Sequence, residues 1–98
     1  MSVSYDRQVD IGTTPTRLLT PNPMRWSWYI LNTGSVTFYY KRGSQGSTVA
    51  TSGSAIGIPV TVGGADGWDE DDAQDEVWAI AASATVAMLS ETVKAEGS

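Results

Sequence analysis

The sequence predicts an all-β fold, one small domain of seven or eight antiparallel strands packed as a two-sheet sandwich. Three observations carry that expectation. Gly, Pro, Asn and Asp break the chain about every eight to twelve residues, the spacing of short strands joined by turns. Between the breaks, β-branched and aromatic residues alternate with polar ones at a period of two. Finally, 98 residues suffice for one domain with a single modest core, and without cysteine no disulfide can reinforce it.

Tyr5, Arg7, Val9 and Ile11 alternate with Asp6, Gln8 and Asp10, a half-buried strand within an N-terminal strand or arm, 1–12. Gly12 and Pro15 end it, since proline cannot donate to a ladder. Thr16–Thr20 reads as a second short strand, closed by Pro21-Asn22-Pro23. Arg25–Asn32 (RWSWYILN) is the clearest strand, with Trp26, Trp28 and Ile30 on one face and Tyr29 and Leu31 on the other. Apolar residues on both faces imply a central or covered strand. Val36–Arg42 follows with Val36, Phe38 and Tyr40 inward. The short Thr33-Gly34-Ser35 link suggests an antiparallel hairpin, with Trp28 pairing Phe38 or Tyr40.

The Gly/Ser/Thr-rich stretch 43–57 reads as a loop or flexible arm, with Thr48–Thr51 a candidate edge strand. Ile56–Val62 is a strand that Pro59 confines to an edge or bulge. An acidic loop spans 66–76. A last hairpin joins Glu76–Ala82 to Thr85–Val93 through a turn near Ser83. A helix over 77–89 is the rival, because alanine is the best helix former; the β-branched Val77, Ile80, Thr85 and Val86 favour strands. The sandwich is thus expected over 13–93, with 94–98 a frayed tail.

The inventory of side chains excludes much chemistry. With neither histidine nor cysteine, zinc sites, thiol chemistry and His-assisted nucleophilic catalysis are ruled out. No G-x-S-x-G elbow or phosphate-binding glycine loop is present. The remaining candidate is the acidic run. Asp66, Asp69 and Asp71 are weak calcium candidates, but EF-hand spacing is not met and a solvated acidic loop is the simpler reading. Paired carboxylates could hydrolyse glycosides, yet nothing apolar surrounds these acids to raise the pKa of a general acid. No catalytic residue, cofactor or enzyme activity is expected.

Charge is divided along the chain. Five basic residues against Asp6 and Asp10 leave residues 1–42 at +3, and nine acids against Lys94 leave 43–98 at −8. An acidic total argues against nucleic acid as a partner. No apolar stretch is long enough to cross a bilayer as a helix, and the first residues lack the pattern of a signal peptide, so synthesis in a cytoplasm and no membrane partner are expected. Opposite charge on separate segments favours contacts between copies of the chain. Arg17, Arg25, Lys41 and Arg42 are expected to form a basic surface meeting the acidic loop, Asp69 included, of a neighbour. Tyr29, Tyr39 and Trp68 are candidates for an exposed aromatic patch, whereas Trp28, Ile30, Phe38 and Tyr40 suit the core.

Three segments in fixed order, TPTRLLTPNPMR (14–25), WYILNTGSVTFYY (28–40) and VWAIAASATVAMLSE (77–91), give a wider likeness. The chain resembles a family of small tailed-bacteriophage virion proteins. That resemblance implies a β-sandwich or jelly-roll-like domain, a homotrimer or higher oligomer, and a place on the outer capsid surface of a virion. It implies a capsid decoration (cementing) protein that bridges subunits of the major capsid protein; residues 1–12, disordered or adding a strand at an open edge, are the expected contact with the shell. The alternative is a receptor- or carbohydrate-binding module of a head fibre or tail, which would display Trp68 and Tyr39 as an aromatic platform. The dense acidic loop and the Trp26/Trp28 pair depart from the family pattern.

Overall fold

A computed structural model describes residues 2–69 and 73–94. Eight strands are present: β1 (Ser2–Ile11), β2 (Thr16–Leu19), β3 (Arg25–Asn32), β4 (Phe38–Arg42), β5 (Ile58–Val60), β6 (Ala65–Asp69), β7 (Val77–Ala81) and β8 (Thr85–Lys94). They form two antiparallel four-stranded sheets, ordered β1-β8-β3-β6 and β2-β7-β4-β5. This is the jelly-roll arrangement of the all-β sandwich. The core lies between the sheets. Ile11, Trp28, Ile30, Ala87 and Leu89 come from the first, and Leu19, Phe38, Tyr40, Val60, Val77, Ala79 and Ala81 from the second. Burying each larger side chain contributes roughly 1.5–3 kcal/mol, the main drive to close the sandwich.

The pairing departs from the sequence reading in an instructive way. β3 and β4 do not form a hairpin, nor do β7 and β8; each short link crosses from one sheet to the other. Trp28 does meet Tyr40, but across the sandwich, as an edge-on pair with centroids 5.6 Å apart. Gly34 makes the first crossing possible. A Cβ there would lie 1.8 Å from Thr85 Oγ1 and 2.9 Å from Val86 N, so only glycine lets the link pass the start of β8. Buried Asn32 holds the same corner, donating to Val36 O and Val60 O and accepting from Gly34 N.

Other expectations are also corrected. Trp26 is exposed rather than inward, because the β3–β8 register shifts between Arg25 and Ser27 and leaves it as the extra residue. Part of the acidic loop is strand β6. Thr48–Thr51 forms no strand, only a single bridge from Ala50 to Ile56, and a 3-10 turn occupies Ser44–Thr48. As expected, the 77–89 region holds strands rather than a helix, at Val77–Ala81 and Thr85–Lys94. β1 is paired along its whole length with β8, so 2–11 is an edge strand of the sandwich. Of the tail expected over 94–98, Lys94 is instead the last residue of β8, paired with Ser2, and the rest lies outside the described residues.

Candidate assembly surfaces

The residues expected to mark partner contacts separate into three places. Arg25 is buried, 3% exposed, and is no part of a basic surface. It lies at the end of β3, where the strands of the first sheet outrun those of the second. Its Nε donates to Glu91 Oε2 at 2.8 Å, its NH2 to Thr20 O at 2.8 Å, and its NH1 to Ala73 O at 3.1 Å and Asp75 O at 3.3 Å. One guanidinium therefore folds the connection after β2 and the connection before β7 down onto β8. The acidic segment does meet Arg25, but within one chain and through carbonyls rather than carboxylates.

Glu91 completes this cluster by also accepting from Arg7 NH1 at 3.1 Å. Burial alone would raise the Glu91 carboxyl; the hydrogen bonds and charges of Arg25 and Arg7 outweigh it and hold the group below the usual carboxylate range. The sequence reading missed Glu91, since a lone acid in an apolar strand carries no spacing signal of its own.

A second polar cluster closes the opposite flank. Tyr40, fully buried on β4, donates to Asp66 Oδ2 at 2.5 Å and accepts from Trp68 Nε1 at 2.8 Å. Arg42 stacks over the Trp68 ring at 3.9 Å. Burial first, then the hydrogen bond to Asp66, pushes the Tyr40 hydroxyl well above its ordinary range, so it stays a donor. Trp68 is accordingly packed against the core rather than displayed. β6 can carry these groups because Gly67 has no side chain; a Cβ there would lie 2.6 Å from Trp28 O.

Arg17, Tyr39 and Lys41 occupy the outer face of the second sheet. The register sets Arg17 and Lys41 on either side of Trp78, with Arg17 5.8 Å from the Trp78 ring. Asp69 is exposed on β6, opposite Ser27 in the first sheet. The basic surface is therefore divided. Arg17 and Lys41 share a face, Arg42 serves the inner cluster, and Arg25 is internal. Tyr39 and Trp68 sit on different sheets and make no common platform. Tyr29 is exposed, as expected.

Among the described residues, no group of three or more Asp or Glu is placed to hold a metal ion. The calcium candidates Asp66 and Asp69 are neighbours-but-two on β6, with Asp66 engaged by Tyr40; Asp71 lies outside the described residues. No described helix is long and apolar enough to cross a membrane.

What the sequence reading did not find is a set of exposed apolar side chains near one end of the first sheet, with Val3 and Tyr5 on its core-facing side and Trp26 on its outer side, where Lys94 Nζ lies 5.0 Å from the indole ring. Val3, Tyr5, Met24 and Trp26 are 37%, 52%, 42% and 49% exposed. β1 and β8 run for ten residues, whereas no strand of the second sheet exceeds five. At about 3.3 Å per residue the first sheet overhangs by some 15 Å. The segments tied by Arg25 cover the overhang above β3 and β8 but leave Val3 and Tyr5 of β1 in solvent.

No protein-family model matches the sequence, and no curated protein is a significant match. The fold is similar to a solved structure described as "Bacillus endospore appendages form a novel family of disulfide-linked pili". That likeness has a TM-score of 0.52 and 16% identity, covering 95% of this chain and 88% of the other. The 98 residues here hold no cysteine and so cannot make such disulfide links. What the two share is a small all-β fold.

Proposed function

We propose that this chain is a non-enzymatic structural subunit that acts by packing into a larger repetitive assembly. In that reading it is a capsid decoration protein of a tailed phage, bridging neighbouring capsid subunits from outside the head. One observation carries the structural part: the described charged clusters are spent inside the fold while apolar side chains are left out. Arg25, Glu91 and Arg7 bind one another and backbone carbonyls, and Tyr40, Asp66 and Trp68 join the two sheets. Val3, Tyr5, Met24 and Trp26 meanwhile face solvent at one end. Exposed apolar side chains on both sides of that end of a rigid sandwich suit docking against protein, where aromatic side chains give the most contact energy per residue. The capsid setting rests on the sequence resemblance.

The likeness to an appendage protein favours a second setting for the same activity, a fibre subunit. Co-sedimentation separates the two. A decoration protein pellets with expanded heads of the encoding phage at a fixed ratio and does not polymerise alone; a fibre subunit forms filaments visible in negative stain without heads. A chain that does neither, and stays monomeric at millimolar concentration, overturns both. Binding to a glycan array would instead favour the carbohydrate-binding alternative.

A further inference from the structure

The first sheet ends on one side in a strand that is built unlike the other three edges. β5 has three residues and includes Pro59; β2 has four, with a register shift and prolines on both sides; β6 has five, with Gly67 and two aspartates. Short length, proline, bulges and inward charge are the usual means by which edges are kept from pairing. β1 has none of the first three. It is ten residues long, pairs with β8 in unbroken register from Ser2 to Ile11, and contains neither proline nor glycine. Among the described residues no strand pairs with its other side. Two of its three charges are engaged within the chain: Arg7 is held by Glu91 and Leu18 O, and Asp6 accepts from the Ser90 hydroxyl.

We propose that β1 is a self-pairing edge, joining a second copy of this chain about a two-fold axis at Tyr5 to make one continuous eight-stranded sheet. This deepens the assembly reading above and rests on it. The register follows from the sequence of β1. Antiparallel pairing places residue i opposite j with i + j constant, and the constant must be even for like faces to meet. With the axis at Asp6 two aspartates oppose each other; at Arg7, two arginines. With the axis at Gln8, Asp6 meets Asp10. Axes at Ser4 or Val9 avoid like charges but overlap over only 2–6 or 7–11. The axis at Tyr5 is the longest pairing free of like-charge opposition, over 2–8, with Val3 against Arg7, Ser4 against Asp6, and Tyr5 against its twin.

The same axis buries what the fold leaves bare. Val3 and Tyr5 lie on the core-facing side of β1, in line with Val9 and Ile11, yet past the reach of the second sheet. Two copies joined at Tyr5 set these four side chains side by side, the tyrosines at the centre and each valine on the stem of the other copy's Arg7. Backbone pairing supplies affinity and the alternate side chains supply register, as in strand addition generally. An isologous contact of this kind closes on itself, so it yields a dimer rather than an open fibre.

The absence of cysteine gives a direct test. In the full chain carrying Tyr5→Cys, the two thiols face each other and mild oxidation yields a covalent dimer. Asp10→Cys, on the same exposed strand, places its thiols roughly 30 Å apart in this register and yields none. Tyr5→Lys sets two ammonium groups together and weakens the dimer at least about tenfold in sedimentation velocity, with the monomer's circular dichroism unchanged. Equal cross-linking of the two cysteine variants, or a dimer indifferent to Tyr5→Lys, overturns the proposal. If the chain still decorates heads or forms filaments in that case, the assembly reading survives and only the two-fold falls. A Tyr5-linked dimer that joins no particle or filament keeps the two-fold and removes the reading.

Discussion

The two long sides of the first sheet are finished in opposite ways. At β6 the edge is short and is stitched to the facing sheet through Tyr40, Asp66 and Trp68, with Arg42 laid over the indole. At β1 the edge is twice as long, and among the described residues its side-chain tie to the second sheet is the Arg7 hydrogen bond to Leu18 O at 3.2 Å. Its inward apolar residues pass from buried Ile11 to half-buried Val9 to exposed Tyr5 and Val3 as the cover runs out. A flank whose side chains satisfy one another needs nothing further. A flank that leaves apolar surface and a backbone row in solvent is stable enough in one chain, but gains by meeting another surface.

Between the flanks sits the Arg25–Glu91 pair, and its loss has the largest expected effect. Replacing Arg25 by Met removes the donor to three carbonyls and leaves Glu91, among the described residues, with exposed Arg7 as its cation. Breaking a buried pair in this way costs about 3–5 kcal/mol, to be read as a lowered urea midpoint. Both flanks feel it, because the segments after β2 and before β7 are held by the same guanidinium. A loss under about 1 kcal/mol would mean that those segments are anchored by packing alone.

Tyr40→Phe comes next and strikes only the β6 flank. The ring and the edge-on contact with Trp28 remain, but Asp66 Oδ2 loses its donor and the Trp68 N–H its acceptor. The expected cost is about 1–3 kcal/mol, and amide exchange should quicken in β6 while β1 is unchanged. Equal quickening in both edges would refute the view that the flanks are closed independently.

How these flanks are built was only half legible in the sequence. Alternation marked β3, β4, β7 and β8 and named most of the core, Trp28, Ile30, Phe38 and Tyr40 among them. Period two reports which side of a strand faces inward, yet it is silent on which sheet the strand joins. Thr33-Gly34-Ser35 and the residues around Ser83 therefore look like hairpin turns when they are crossings. Trp26 reads as inward until the register shift beside it changes the parity. β6 escaped because Ala65-Asp-Gly-Trp-Asp69 has poor strand propensity; it forms through its backbone ladder to β3, with Asp66 and Trp68 tied to the Tyr40 hydroxyl across the sandwich. Arg25 looked like surface charge because its partners lie up to 66 residues away. The long open edge was visible as alternation, but nothing local says that the facing sheet stops short of Val3 and Tyr5.

Acid distinguishes the clusters without mutation. Glu91 is held below its ordinary value of 4.5 in the folded chain. A depressed carboxyl binds fewer protons folded than unfolded, so its contribution is present above pH 4.5 and is lost as pH falls through the lower folded value. Urea midpoints followed downward from neutral pH should drop over that window, and the drop should shrink in Glu91→Gln. A Glu91→Gln profile parallel to wild type would remove the pair from the account.

The smallest expected effect is the most telling for β1. Arg7→Gln takes away the tie between β1 and the second sheet together with an ion pair whose arginine end is 44% exposed. Solvent screens such a pair, and Glu91 keeps Arg25, so the cost should stay within about 0–1 kcal/mol. The ladder to β8 holds β1 in place without Arg7, since each paired residue keeps its backbone partners. In the proposed two-fold, however, the Arg7 stem covers Val3 of the other copy. A substitution nearly silent for the single chain should therefore still loosen the dimer, measured as a faster exchange of subunits between labelled and unlabelled protein. If Arg7→Gln unfolds β1 instead, seen as loss of amide protection from 3 to 9, then the flank depends on that one side chain. The contrast with β6 would then be one of degree rather than of kind.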